Sequence, residues 1–171
     1  MNTSFNPLPP GYTHVQHTFE PVFDEHSRIL ILGSFPSVKS REIQFYYGHP
    51  QNRFWKLMAQ LLDVPIPQSI DEKKTMLLTH GLALWDVIAS CDIKESSDSS
   101  IKNAVPADIS RILKAADIQT IIANGGTAFR LYRRYCEPVT GRPAALCPST
   151  SPANAAFSLE RLSECWSKFI I

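Results

Sequence analysis

The stretch from Ile29 to Trp55, ILILGSFPSVKSREIQFYYGHPQNRFW, constrains the fold of this chain more than any other part of it. It opens with Ile29-Leu30-Ile31-Leu32, an apolar run with the length and β-branched content of a buried parallel strand. Gly33-Ser34-Phe35-Pro36-Ser37 ends that run with the residues that turn a chain. A polar and aromatic segment follows, Tyr46-Tyr47-Gly48-His49-Pro50-Gln51-Asn52, read here as part of one long irregular loop. Phe54, Trp55, Leu57, Met58, Leu61 and Leu62 then recur at helical spacing. A strand feeding a loop and then a helix places that loop at the carboxyl end of a sheet, where open α/β folds bind ligands. A loop of this length inside a compact domain points to function.

The remaining pattern alternates in the same way. Ser69 with Glu72 three residues on reads as a capping box, opening a helix that runs to about Thr79. Gly81 to Ile88 is a second apolar run, strand plus loop, and residues 90–103 read as a polar loop. Ile109, Ile112, Leu113 and Ala116 define an amphipathic helix. Thr120-Ile121-Ile122-Ala123 is a third strand, ending in Asn124-Gly125-Gly126. The next helix buries Ala128, Phe129, Tyr132 and Tyr135 and turns Arg130, Arg133 and Arg134 to solvent. Ala144 to Cys147 is a fourth strand, running into Pro148-Ser149-Thr150-Ser151-Pro152-Ala153-Asn154. There Ser151 as N-cap and Pro152 at the first helical position predict a helix start. Leu159, Leu162, Trp166 and Phe169 supply the buried stripe of a C-terminal helix. Four strands alternating with helices predict an α/β domain with a mainly parallel sheet and helices on both faces.

Length and composition set bounds on this reading. A chain of 171 residues, 44% hydrophobic, predicts one domain over residues 1–171, with residues 1–20 as an extended, proline-bearing arm. His14, His17 and His26 are too loosely spaced for a metal site and read as surface residues. The four cysteines, Cys91, Cys136, Cys147 and Cys165, lack ligand spacing and read as reduced thiols of a cytoplasmic protein. A net charge of +1 leaves any electropositive face local. Neither a signal-peptide pattern nor a membrane-length apolar run is present, so no membrane association is expected.

Three segments together carry a family resemblance: GSFPS after a strand, YYGHPQNRFW, and CPSTSPANA after the last strand. They resemble the uracil-DNA glycosylase superfamily, from about Ile29 to the C-terminus. HPQNRFW is similar to the corresponding segment of the mismatch-specific uracil- and thymine-DNA glycosylases. GSFPS and PSTSPANA look more like the hypoxanthine (deoxyinosine) DNA glycosylase branch. The resemblance implies a three-layer αβα sandwich around a four-stranded, mainly parallel sheet. It also implies an enzyme that flips a deaminated base out of DNA and lets water attack C1′ of the sugar. The implied partner is DNA containing such a base, with no cofactor or metal; a monomer is expected.

The resemblance assigns roles residue by residue. Where many superfamily members place a water-positioning Asp or Asn, this chain has Phe35; Asn52 looks like its replacement, orienting water or sugar as the catalytic residue. Gly33, Ser34, Phe35 and Tyr47 would form the base pocket, with Tyr47 stacked on the flipped base. Asp86 falls where relatives carry a base-reading amide, and a carboxylate accepts the N1–H of hypoxanthine or the N3–H of uracil. Pro36, Ser37, His49, Ser149, Thr150 and Ser151 would contact DNA. Cys147 stands where the family often has His, and a thiol is a poor donor to a departing base oxygen. Neither motif contains lysine, so a monofunctional enzyme without a Schiff-base step is expected. On their own chemistry, Asn52 also reads as a helix cap, Tyr47 as a core tyrosine, Asp86 as a cap or loop ion-pair partner, and Ser149, Thr150 and Ser151 as caps. Two alternatives stay open: a mismatch-specific uracil-DNA glycosylase, and a glycosylase-like module that binds DNA without catalysis.

Overall fold

The computed structural model describes residues 7–170. In chain order the elements are β1 (Thr13–Gln16), β2 (Ile29–Gly33), α1 (Val38–Ile43), α2 (Phe54–Leu62) and α3 (Ile70–Thr79). β3 (Leu82–Asp86), β4 (Ile88–Ile93), a 3-10 turn (Asp98–Ser100), β5 (Lys102–Pro106) and α4 (Ser110–Ala115) follow. β6 (Thr120–Asn124), α5 (Gly126–Tyr135), α6 (Glu137–Thr140), β7 (Ala145–Cys147) and α7 (Leu159–Trp166) complete the fold.

The central sheet has the order β3-β2-β6-β7, and every neighbouring pair is parallel. β2, β3 and β6 are buried on both faces, which is why they read as apolar runs rather than alternating ones, while the edge strand β7 leaves Leu146 exposed. Alternate side chains serve two cores. Ile31, Leu84 and Ile122 face α2 and α7 through Leu57, Met58, Leu162 and Trp166. Leu30, Leu32, Ala83 and Ile121 face Ile112 of α4, Tyr132 of α5, and Cys91 and Ile93 of β4. The expected four-stranded parallel sheet between helices is therefore present. The register sets Gly33 beside Asp86 and Asn124 beside Cys147, all at carboxyl ends of strands. No helix among the described residues is long and apolar enough to cross a membrane.

Four expectations need correction. Residues 90–103 are not simply a polar loop: β4 and β5 pair antiparallel, and β1 adds to β4, giving a second sheet in the order β1-β4-β5. Cys91 and Ile93, buried in the second core, anchor this sheet, and two apolar residues among serines and aspartates are a weak signal. The arm at residues 1–20 lies partly outside the described residues, and within them Thr13–Gln16 is more than an extension: it is a largely exposed strand paired with β4. The loop after Gly33 is interrupted by α1, whose N-cap is Ser37, accepting from Ser40 N at 3.2 Å. The last helix begins at Leu159 with Ser158 as its cap, not after Ser151. Ser151 Oγ instead accepts from Ala153 N at 3.2 Å, and turns continue to residue 157.

Candidate active site

A cleft of about 370 Å³ opens at the carboxyl ends of β2, β3 and β6, a size suited to a small-molecule ring. The loops after β2 and β7 both line it, so segments about a hundred residues apart in sequence meet there. Asn52 is held at their junction. Its Oδ1 accepts from Phe54 N at 3.0 Å, the turn that opens α2, and from Thr150 Oγ1 at 2.9 Å. A backbone N–H can only donate, so the atom facing Phe54 N is the amide oxygen and the amide orientation is settled. Both lone pairs of that oxygen are used, and the Nδ2 group, a pure donor, is the part of Asn52 left to serve the cleft.

Thr150 in turn exchanges hydrogen bonds with Asn124. Asn124 Nδ2 donates to Thr150 Oγ1 at 3.0 Å, and Thr150 N donates to Asn124 Oδ1 at 3.0 Å. Thr150 is 0% exposed, so its hydroxyl holds Asn52 and is not available to a DNA phosphate. Arg53 clamps the same two loops: Nη2 donates to Ser151 O at 2.9 Å and Asn154 O at 3.1 Å, and Nη1 donates to Phe157 O. Gly125 makes the closure possible. Its φ is +98°, and a Cβ there would stand 2.9 Å from the Ser149 Cβ.

The cleft floor is built around Gly33. A side chain at this position would collide with Asp86 Oδ1 and stand 3.1 Å from the Tyr47 hydroxyl, so glycine lets both groups approach. Asp86 Oδ2 is 2.8 Å from His17 Nε2, and the two side chains are only 6% and 4% exposed. Phe19, Phe35 and Tyr46 surround the His17 ring. His17 is therefore a buried partner of the site, not the surface residue its spacing suggested; β1 delivers it, as His17 N bonds to Ala89 O at 2.8 Å. Tyr47 has φ +52°, and one face of its ring stacks on Phe54 at 4.2 Å between centroids. Its hydroxyl is buried, and among the described residues no group stands at hydrogen-bonding geometry to it, the Asn124 amide being its near polar neighbour. Burial and the nearby Asp86 raise its pKa far above the ordinary tyrosine value, with the Asn124 amide pulling the other way.

The other expected residues line the walls. Ser34 and Phe35 lie in the cleft with Gly33, and Phe35 is nearly buried. Pro36 is buried in the cleft wall rather than set out as a DNA contact. Ser37 also lines the cleft, but its hydroxyl is engaged in capping α1 and donates to Ser40 Oγ at 3.1 Å. His49 is exposed at the rim, where its Nδ1 accepts from Gln51 N at 3.1 Å, leaving the ring proton on Nε2. Ser149 and Ser151, half-buried, line this cleft and a wider adjoining one of about 820 Å³. Cys147 packs in the core, and burial pushes its thiol up to about 12.

The chain matches the description "Uracil DNA glycosylase superfamily" over residues 20–170. It belongs to the uracil DNA glycosylase superfamily. A relative from Methanosarcina acetivorans named hypoxanthine DNA glycosylase is 34% identical over 151 residues, covering 88% of this chain and 95% of the relative. A second of that name, from Methanosarcina barkeri, is 36% identical over 111 residues, covering 63% and 69%. The fold is similar to a solution NMR structure from Methanosarcina acetivorans, described as a candidate uracil DNA glycosylase. Its TM-score is 0.76 at 33% identity, over 88% of this chain and 93% of that one. The superfamily frame leaves four residues of this site that sequence reasoning passed over. Arg53 sat unremarked inside the HPQNRFW motif, and Asn124 was read as a strand end. His17 lay in an arm without periodicity, and Asp98 lay in the supposed polar loop yet lines the cleft.

Proposed function

We propose that this chain is a monofunctional DNA glycosylase, acting as one unit, that hydrolyses the N-glycosidic bond of a deaminated base, deoxyinosine foremost. The observation that carries the reading is the pair of groups that crowd the missing Cβ of Gly33. Asp86 Oδ1 is an acceptor and the Tyr47 hydroxyl is a donor without a partner. A deaminated base presents the matching edge: hypoxanthine offers an O6 acceptor beside an N1–H donor. Adenine presents the reverse, an amino donor beside a ring-nitrogen acceptor, and would leave both protein groups unsatisfied. Tyr47 thus reads the edge of the base rather than stacking on its face, and Phe35 supplies a wall. Uracil has the same O4/N3–H pattern and fits the floor as well; the names of the two relatives favour hypoxanthine.

Chemistry then falls to the residues around the sugar. With its amide oxygen engaged, Asn52 keeps its Nδ2 donor for the cleft it lines, suited to a departing base that gains negative charge. Because its two loops are locked by Arg53, Thr150 and Asn124, little reorganisation is needed as charge develops. Ser149, Ser151, Ser37 and His49 at the rim would meet the DNA backbone, whose path follows the wider adjoining cleft.

Labelled duplexes carrying hypoxanthine, uracil, xanthine or only normal bases, incubated with the protein and then treated with alkali, test this. Strand breaks at hypoxanthine with wild type, lost in Asn52→Ala, are expected. No breaks with any lesion, while damaged DNA is still bound, would leave the non-catalytic module as the reading.

A further inference from the structure

Hydrolysis needs a group that accepts the proton of the attacking water, and the residues so far described do not supply one. Asn52 has no free lone pair, because Phe54 N and Thr150 Oγ1 occupy both on its oxygen. His49 Nδ1 is taken by Gln51 N, so its free nitrogen carries the proton. Asp86 lies at the floor with one oxygen on His17 and the other in the base-reading position. Phe35 stands where the superfamily resemblance expected a water-positioning side chain.

One carboxylate lining the cleft is left. Asp98 opens the 3-10 turn between β4 and β5, is exposed, and borders both the cleft that holds Asn52 and the wider one beside it. Its loop is tied down rather than free. Val38 N at the start of α1 donates to Ser96 Oγ at 2.9 Å, and Arg41 Nη2 donates to Glu95 O at 2.7 Å. Ser100 Oγ closes the turn on Ser97 O at 2.6 Å and accepts from Lys94 N at 2.9 Å. The loop between β4 and β5 thus brings a carboxyl group to the same cleft that Asn52 lines.

We propose that Asp98 is the catalytic acceptor of this site, holding the water that attacks C1′. The proposal rests on the glycosylase reading and extends it. In the step, the water oxygen bonds to C1′ as its proton passes to an Asp98 carboxylate oxygen. The C1′–N9 bond breaks, and its electron pair leaves with the base, whose charge the Asn52 Nδ2 group stabilises.

The test compares wild type, Asp98→Asn and Asp98→Ala on a hypoxanthine duplex, in single turnover with enzyme in excess. Binding is measured in parallel by anisotropy on a duplex whose 2′-fluoroarabino-inosine cannot be cleaved. The expected result is a rate constant lower by about 100-fold or more in both variants, with binding within about threefold of wild type. Formate should partly restore Asp98→Ala. Either variant retaining the rate within about threefold, or rate and binding falling together, overturns the role of Asp98. A wild type inert on every lesion overturns the glycosylase reading itself, and the role with it.

Discussion

Replacing Thr150 by valine removes one oxygen and keeps the shape, which makes it the sharpest probe of the junction. The hydroxyl makes two contacts: it donates to Asn52 Oδ1 and accepts from Asn124 Nδ2. Asn52 Oδ1 keeps its bond from Phe54 N, so that loss is an ordinary hydrogen bond of about 1 kcal/mol. Asn124 is buried, and its Nδ2 group loses an acceptor, which costs about 1–3 kcal/mol. The added methyl surface offsets up to about 0.8 kcal/mol. The net expectation is a loss of about 1–3 kcal/mol, or about 2–12 °C in Tm for a chain of this size. Excision should slow about 10–100-fold, because the Asn52 amide is no longer pinned against the cleft. Thr150→Ser, which keeps the oxygen, should lose about 1 kcal/mol and stay active. Urea denaturation and single-turnover excision measure both. A Thr150→Val protein of wild-type stability and wild-type excision rate that binds DNA less tightly would refute the junction. It would restore Thr150 as a phosphate contact.

Tyr47→Phe removes a buried donor that has no partner in the free protein, so it should raise stability by about 1 kcal/mol or more while lowering hypoxanthine excision about tenfold. Thermal melts and excision rates moving in the same direction would contradict the edge-reading role. His17→Ala strips a buried carboxyl group of its partner and should cost about 3 kcal/mol, read by denaturation, with excision reduced as Asp86 is freed to move. Burial lifts the thiols of Cys91 and Cys136 to about 11 and that of Cys147 to about 12. Because these raised values belong to the folded state, their stabilising contribution is whole below about pH 9 and is lost as pH rises through 11 to 12. Denaturation midpoints should fall across that window. A thiol reagent at pH 7.5 should label Cys165, half-buried, before the other three.

Much of this architecture could be read from one dimension. The β2 run and the strands at β3 and β6 announce themselves as apolar segments, because a parallel sheet covered on both faces demands them; β7, at the sheet edge, is three residues long and leaves Leu146 exposed. Asn52, Gly33 and Asp86 were named from motifs that sit at strand ends, and they do share one cleft. The antiparallel sheet was missed because β4 and β5 carry Ser, Asp, Lys and Asn, the composition of a loop, and only long-range pairing makes them strands.

What the linear chain determined, then, is the layered sheet, its helices and the two loops that meet at its edge, since burial and turn chemistry are written locally. Tertiary structure alone decided which atom each side chain shows. That the Asn52 amide oxygen is fully engaged depends on a threonine 98 residues away. That His17 is buried against Asp86 depends on a strand pairing with β4. Hydrogen-bond saturation is a property of neighbours in space, and no local pattern encodes it.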